Sequence, residues 1–215
     1  MRSRTLASAT VVVAACVVTG VYGHQASVAR TATTAPACGK ERWSVKTLSD
    51  AAAAKVTFAT VKPKDIAALS RLKAPAHLDA ATTRGRRTER TVYGVTALLL
   101  SMRKEDDSDI HLVIADLTSG GTMIAEFPAT SCTTGAQAKV RGKMQRARTE
   151  LATACGGLPG SSPVTLHGTA TLTGVGFFDP IHGQTGVALN GIELHPVLTF
   201  KSKDCVRVSP TLPPG

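Results

Sequence analysis

Aromatic side chains are scarce. Phe, Tyr and Trp make up 4% of the 215 residues, and Trp43 is the only tryptophan. A single-strand nucleic-acid binder needs several exposed rings to stack on bases. Most rings here fall where a core would claim them, and Phe177 is the best placed to be exposed. Acidic charge is short too: Asp+Glu is 15 against Lys+Arg 25, for a formal net charge of +10. Asparagine occurs once, at Asn190, so there is no N-glycosylation sequon. No Gly-x-x-x-x-Gly-Lys-Ser/Thr loop, Gly-x-Ser-x-Gly elbow or His-Glu-x-x-His pair is present, and no internal repeat. Those absences count against the commonest nucleotide-binding, esterase and zinc-protease chemistries.

What is present is an ordinary globular balance, 43% hydrophobic and 19% charged, with 19 Gly and 11 Pro. That excludes a wholly disordered chain and a collagen-like fibre. The length suits one modest domain with tails. The basic excess favours polyanions such as nucleic acid, anionic lipid or wall polymer.

The N-terminus has the layout of an export signal. Arg2 and Arg4 precede residues 5–23, which carry no charge. Cleavage after Gly23 or Ala26 suits the small-residue rule. Two other fates stay open: the nineteen residues are long enough to span a bilayer uncleaved, and Val13-Ala14-Ala15-Cys16 resembles a lipoprotein box in which Cys16 carries the lipid. Each places the chain outside the cytoplasm, secreted or in the cell envelope. Setting Cys16 aside leaves Cys38, Cys132, Cys155 and Cys205. An even number in an oxidising compartment points to two disulfides. The favoured pairing is Cys132–Cys155, flanking one predicted helix, with Cys38–Cys205 bracketing the domain. No close Cys-x-x-Cys pair favours zinc.

The expected organisation is an export signal or anchor over 1–26 and an Ala/Thr tether over 27–37. An N-terminal extension over 38–90 follows, then a barrel over 91–208 and a Pro-rich tail over 209–215. The extension holds Trp43 as a core anchor, a strand over 55–61 and a short helix over 64–72. Alternation and turn signals then give strands over 91–103 (bending at Gly94), 110–117 and 122–127. Glu105, Asp106, Asp107, Ser108 and Asp109 form the polar turn between the first two. A helix opens on a Thr134/Gln137 capping box and ends at Gly156-Gly157. Its apolar stripe is Ala136, Val140, Met144, Ala147, Leu151 and Ala154. Long strands over 164–178 and 192–200 close the pattern, the last with Ile192, Leu194, Pro196, Leu198 and Phe200 on one face.

Three strands, a helix and two strands, with glycines where a tight barrel must bend, resemble the OB-fold. That resemblance implies a mainly β protein: a small five-stranded Greek-key barrel with one α-helix between strands three and four. The small N-terminal α/β extension would pack on it. Segments 174–179 (Gly174 to Asp179), 182–186 (His182 to Gly186) and 190–197 (Asn190 to Val197) resemble exported bacterial proteins of uncharacterised function. That likeness implies no activity and no catalytic residue.

Candidate ligand-binding residues are His111, His182, Gln184, Glu193 and His195. Asp109 and His111 share one face of the second strand, and Glu193 and His195 one face of the fifth. Imidazole with carboxylate suits a divalent metal, so Asp109, His111, Glu193 and His195 form the candidate metal set; no other cofactor is expected. Arg84, Arg86, Arg87, Lys139, Lys143 and Arg146 form a candidate basic surface. The leading expectation is a monomeric exported binding module for an anionic polymer or glycan, docked on the outer face of strands two and three. A metal-dependent hydrolase of phosphodiesters or esters using His111, Glu193 and His195 is the first alternative. A non-catalytic scaffold is the second.

Overall fold

The structure is a computed structural model that describes residues 38–85 and 87–208. The expected export segment, tether, Arg86 and Pro-rich tail lie outside those residues. In chain order the elements are α1 (Trp43–Lys46), β1 (Thr57–Pro63), α2 (Ile66–Leu69), β2 (Thr91–Lys104), β3 (Ile110–Ala115), β4 (Thr122–Phe127), α3 (Ala138–Ala154), β5 (Val164–His167), β6 (Thr169–Phe178), β7 (Ile192–Lys201) and β8 (Val206–Arg207).

Five strands close on themselves. They pair in the order β3-β4-β7-β6-β2, and β2 pairs again with β3. Closure leaves these strands without a free edge. All the pairs are antiparallel except β4 with β7. Three more strands attach outside the ring: β1 runs parallel to β2, and β5 pairs with both the end of β2 and β8.

Alternation explains the interior. Val95, Ala97 and Leu99 from β2, Ile110, Leu112 and Ile114 from β3, and Met123, Ala125 and Phe127 from β4 join one buried cluster. Ala147 and Leu151 of α3 join it as well. One turn earlier, Val140 and Met144 meet Val92, Val175 and Leu198 in a second cluster. Each large side chain so buried contributes about 1.5–3 kcal/mol.

Several expectations need correction. The disulfides are Cys38–Cys132 and Cys155–Cys205, with Cα–Cα distances of 5.6 and 5.1 Å. Neither Cys132–Cys155 nor Cys38–Cys205 forms. Cys132 and Cys155 lie beyond opposite ends of α3, whose 17 residues rise about 25 Å. A disulfide needs its Cα atoms within about 7 Å. The observed bridges instead tie each terminal segment to one end of α3. They close chain separations of 94 and 50 residues, which stabilise by about 4–5 kcal/mol each on the chain-entropy account.

The capping box does not form either. α3 begins at Ala138 behind Gln137, with no side-chain cap, so Thr134 lies too far back to reach the first free N–H groups. The long strand over 164–178 breaks at Gly168, whose φ is +111°. A Cβ there would lie 2.2 Å from the Asp204 carbonyl oxygen, so the chain turns where only glycine fits. On β7 the register slips opposite Gly174. Val197 therefore joins the barrel cluster, while Leu198 packs with Val140 and Met144 instead.

The buried Arg42 clamps the N-terminal segment to the barrel, and the buried Arg84 ties that segment together. Arg42 donates from Nη1 to the Phe178 carbonyl at 2.6 Å and from Nη2 to Glu89 at 2.8 Å. Its guanidinium carbon lies 4.4 Å from the Phe177 ring centroid. Arg84 pairs with Asp50 and donates to the carbonyls of Glu89 and Val45.

Candidate functional site

The pleat that sends Ile110, Leu112 and Ile114 inward turns His111 to the outer face of β3. The same rule puts Glu126 outward on β4, and Glu193 and His195 outward on β7. Register brings them together: His111 lies opposite Glu126, and Ile124 is paired with Glu193. All four side chains are nevertheless buried. The segment with Gly39, Trp43 and Lys46 borders one side and the loop with Asp179, His182, Gly183 and Gln184 another. Between them is a cavity of about 650 Å³.

This cavity is acidic in a basic protein. Glu105, Asp107, Glu126, Asp179 and Glu193 line it, with Glu41 and Asp106. Lys40, Lys46 and Arg103 line it as well, together with the imidazoles of His111, His182 and His195. His111 donates from Nδ1 toward Glu126 Oε1 at 2.8 Å, with Glu105 Oε1 at 3.2 Å, and its Nε2 meets the Thr185 carbonyl at 2.9 Å. Burial alone would lower its pKa, but Glu126, the Thr185 carbonyl and Glu105 outweigh that and raise it to about 9. His195 sits between Glu193 Oε1, 3.1 Å from Nδ1, and Asp109 Oδ2, 3.4 Å from Nε2. Again burial opposes the charge, and again the carboxylates prevail, raising His195 to about 9. Lys46 lies 3.3 Å from Asp179. Burial disfavours its ammonium, yet Glu193, Asp179 and Glu126 hold its pKa above the ordinary value. Glu126 is pushed the other way: burial raises its carboxyl, His111 pulls it back, and Glu193 adds to the push.

His111, His182, Gln184, Glu193 and His195 all line this cavity. The exposed His182 lies 3.7 Å from Asp179 Oδ2, and Gln184 donates to Asp179 and to the Pro180 carbonyl. Asp109 is not a solvated hairpin tip: it is 1% exposed and accepts from the Ala129 N–H. The expected metal set is regrouped. His111 faces Glu105 and Glu126, whose donor atoms with His111 lie within 4.8 Å of one another. His195 faces Asp109 and Glu193.

The basic surface is also redistributed. Arg84 is 4% exposed and spent on Asp50, so it offers no charge to a ligand. Arg87, Lys139 and Arg146 are exposed, and Lys143 is half-buried over the Phe58 ring. Lys55, Lys62, Arg87 and Arg90 line a separate shallow cavity without a carboxylate. Phe177 is wholly buried under Arg42 and beside His195, so it offers no stacking face. Trp43 is half-buried on the acidic cavity wall rather than in the core.

Glu105 and Glu126 were missed. A signal for Glu126 existed: counting back from the turn at 119–121 pairs it with His111 across the hairpin.

No protein-family profile and no curated protein matches the chain. A solved structure assigned as an aspartyl-tRNA synthetase from Leishmania major Friedlin is similar, at 15% identity and a TM-score of 0.36. The likeness covers 72% of this chain and 22% of that one. At that level it carries no conclusion on function. What stands is a mainly β protein with a closed five-stranded barrel, two disulfides that fit an oxidising compartment, and an acidic cavity on the barrel's outer face.

Proposed function

We propose that this protein is an exported binding module built on an OB-type barrel, and that it takes a glycan segment in the acidic cavity. Three features support the barrel type: the closed order β2-β3-β4-β7-β6, the parallel contact of β4 with β7, and α3 falling in the chain between β4 and β6. The disulfides support export. One observation carries the ligand class: carboxylates and imidazoles converge with the Trp43 ring on one cavity. Carboxylate oxygens accept from hydroxyls, and an indole offers an apolar surface to the C–H face of a sugar. A polyanion is a poor occupant of the same cavity, because its phosphates would meet like charge.

Trp43 is the built-in reporter. As the only tryptophan, it lies on the cavity wall. Titrating neutral or amino-sugar wall fragments should shift its emission saturably, and Glu193→Gln should weaken the response. Silence from Trp43 and from amide chemical shifts at His111, Gln184 and Glu193 across a glycan panel would sink this assignment.

A second reading has its own observation. The carboxylate-free cavity of Lys55, Lys62, Arg87 and Arg90 favours an anionic wall polymer there. Salt-sensitive retention on teichoic-type polymer, lost in Arg87→Ala, would support it. Hydrolysis through His111, Glu193 and His195 draws little support, since His195 is 1% exposed between two carboxylates.

A further inference from the structure

We propose that Glu105, His111 and Glu126 form a site for a divalent transition-metal ion, of the zinc class, within the acidic cavity. The site deepens the reading of this cavity as the binding site and rests on it.

The donor atoms already converge. His111 Nδ1 lies 2.8 Å from Glu126 Oε1 and 3.2 Å from Glu105 Oε1. Ligands about 2.1 Å from a tetrahedral zinc lie about 3.4 Å apart, so an ion needs only a small spreading of these atoms. The donor mix, one imidazole and two carboxylates, suits zinc and its neighbours rather than calcium or magnesium, which prefer all-oxygen shells. A second, independent feature points the same way. Glu126 is 8% exposed, yet its Oε2 is buried without a hydrogen-bond partner among the described residues. Nδ1 of His111 serves the other oxygen. A cation would satisfy this orphan.

The surroundings are those of a metal ligand. His111 Nε2–H donates to the Thr185 carbonyl at 2.9 Å. That bond would hold the ring while the metal took the place of the Nδ1 proton now shared with Glu126. Gly186 makes the carbonyl's approach feasible: its φ is +82°, and a Cβ there would lie 2.3 Å from Val113. Arg103 donates from Nη2 at 2.8 Å and Nε at 3.0 Å to Glu105 Oε1, the oxygen that also faces His111, and so orients that carboxylate. His195 offers no such convergence: Asp109 faces Nε2 and Glu193 faces Nδ1, so its two carboxylates do not meet at one ring nitrogen. The cavity side of the triad leaves room for a water or a ligand oxygen to complete the shell.

The test uses the full chain after chelator treatment, titrated with Zn²⁺ alone against a chromophoric chelator. Binding of one ion per chain is expected. His111→Ala and Glu126→Gln should each weaken it at least about 100-fold, beyond the outer-shell effect expected for Gly186→Ala. His77→Ala and His167→Ala, exposed histidines away from this cavity, should bind as the parent does. Nitrogen NMR of the parent decides the matter if a variant fails to fold: His111 Nδ1 should shift with zinc while Nε2 keeps its proton. No binding by the parent, or binding that survives both His111→Ala and Glu126→Gln, overturns the site. Trp43 responding to glycan in chelated protein that binds no zinc would remove the metal alone. Zinc binding with no glycan response under either condition would remove the glycan alone.

Discussion

Arg42 has the shape of a clamp at the scale of one residue. Its guanidinium bonds the Phe178 carbonyl, pairs with Glu89 and lies over Phe177. Both charges of the Arg42–Glu89 pair are nearly inaccessible, at 1% and 2% side-chain exposure. Removing one partner strands the other, since Glu89 accepts from the N–H groups of Gly85 and Phe178 as well. Arg42→Ala should therefore cost about 3–5 kcal/mol, measured as a fall in the urea midpoint. A loss below about 1 kcal/mol would mean that water replaces the guanidinium. Nothing near Arg42 in the sequence announces this role, because Glu89 and Phe178 are 47 and 136 positions away. His111, Glu193 and His195 were legible for a simple reason: strand alternation puts each on the polar face. Their partners were harder to read. Glu126 needed the hairpin register, and Glu105 needed the path of a turn.

At the scale of an element, α3 is the most readable part of the chain. Its stripe of Val140, Met144, Ala147 and Leu151 is buried as periodicity requires. Gly156 and Gly157 end it with φ of +69° and +107°. Gly142 needs no special backbone, and a Cβ there would meet only the Arg146 side chain, at 3.4 Å. Gly142→Ala should stabilise the protein by about 0.5–1 kcal/mol, read as a rise in urea midpoint at unchanged m. Destabilisation would show that Arg146 cannot give way. The strands were less legible where registers slip. Alternation assigns Pro196 and Leu198 to the Leu194 face, but the irregularity opposite Gly174 hands that place to Val197. A bulge depends on the partner strand, which a local pattern does not contain.

For the whole molecule, charge and pH couple through the cavity. His111 and His195 hold their protons to about 9, against an ordinary 6.5. Their contribution is full below pH 6.5 and fades as pH rises through 9. Glu126, raised chiefly by burial to about 7, also binds its proton more strongly when folded, so its contribution is full below 4.5 and lost as pH rises through 7. Asp107, raised chiefly by burial, acts in the same sense from 3.8 upward. Asp116 works in the opposite sense. The N–H groups of Ser119, Thr118 and Ala67 hold its carboxyl at about 2, so its contribution is present above 3.8 and lost as pH falls through 2. Stability of chelator-treated protein should thus peak on the acid side of neutrality and fall steadily from pH 6.5 to 9.5. His195→Gln should flatten that fall. Urea midpoints that hold level or rise over this range would contradict the buried imidazolium pairs.

The sequence alone determined the class of object. Hydrophobic periodicity, glycine placement and turn residues are local, so they marked out strands, the helix and the polar outer faces without any neighbour. The cysteine count likewise announced two bridges. Only the tertiary structure decided which cysteines meet, which arginines are buried and which carboxylates crowd which histidine. Those are distances between residues far apart in the chain, and they are set by barrel closure and strand register. An acidic hollow inside a chain of net charge +10 follows from that folding, because composition sums charges while a site depends on where they are brought together.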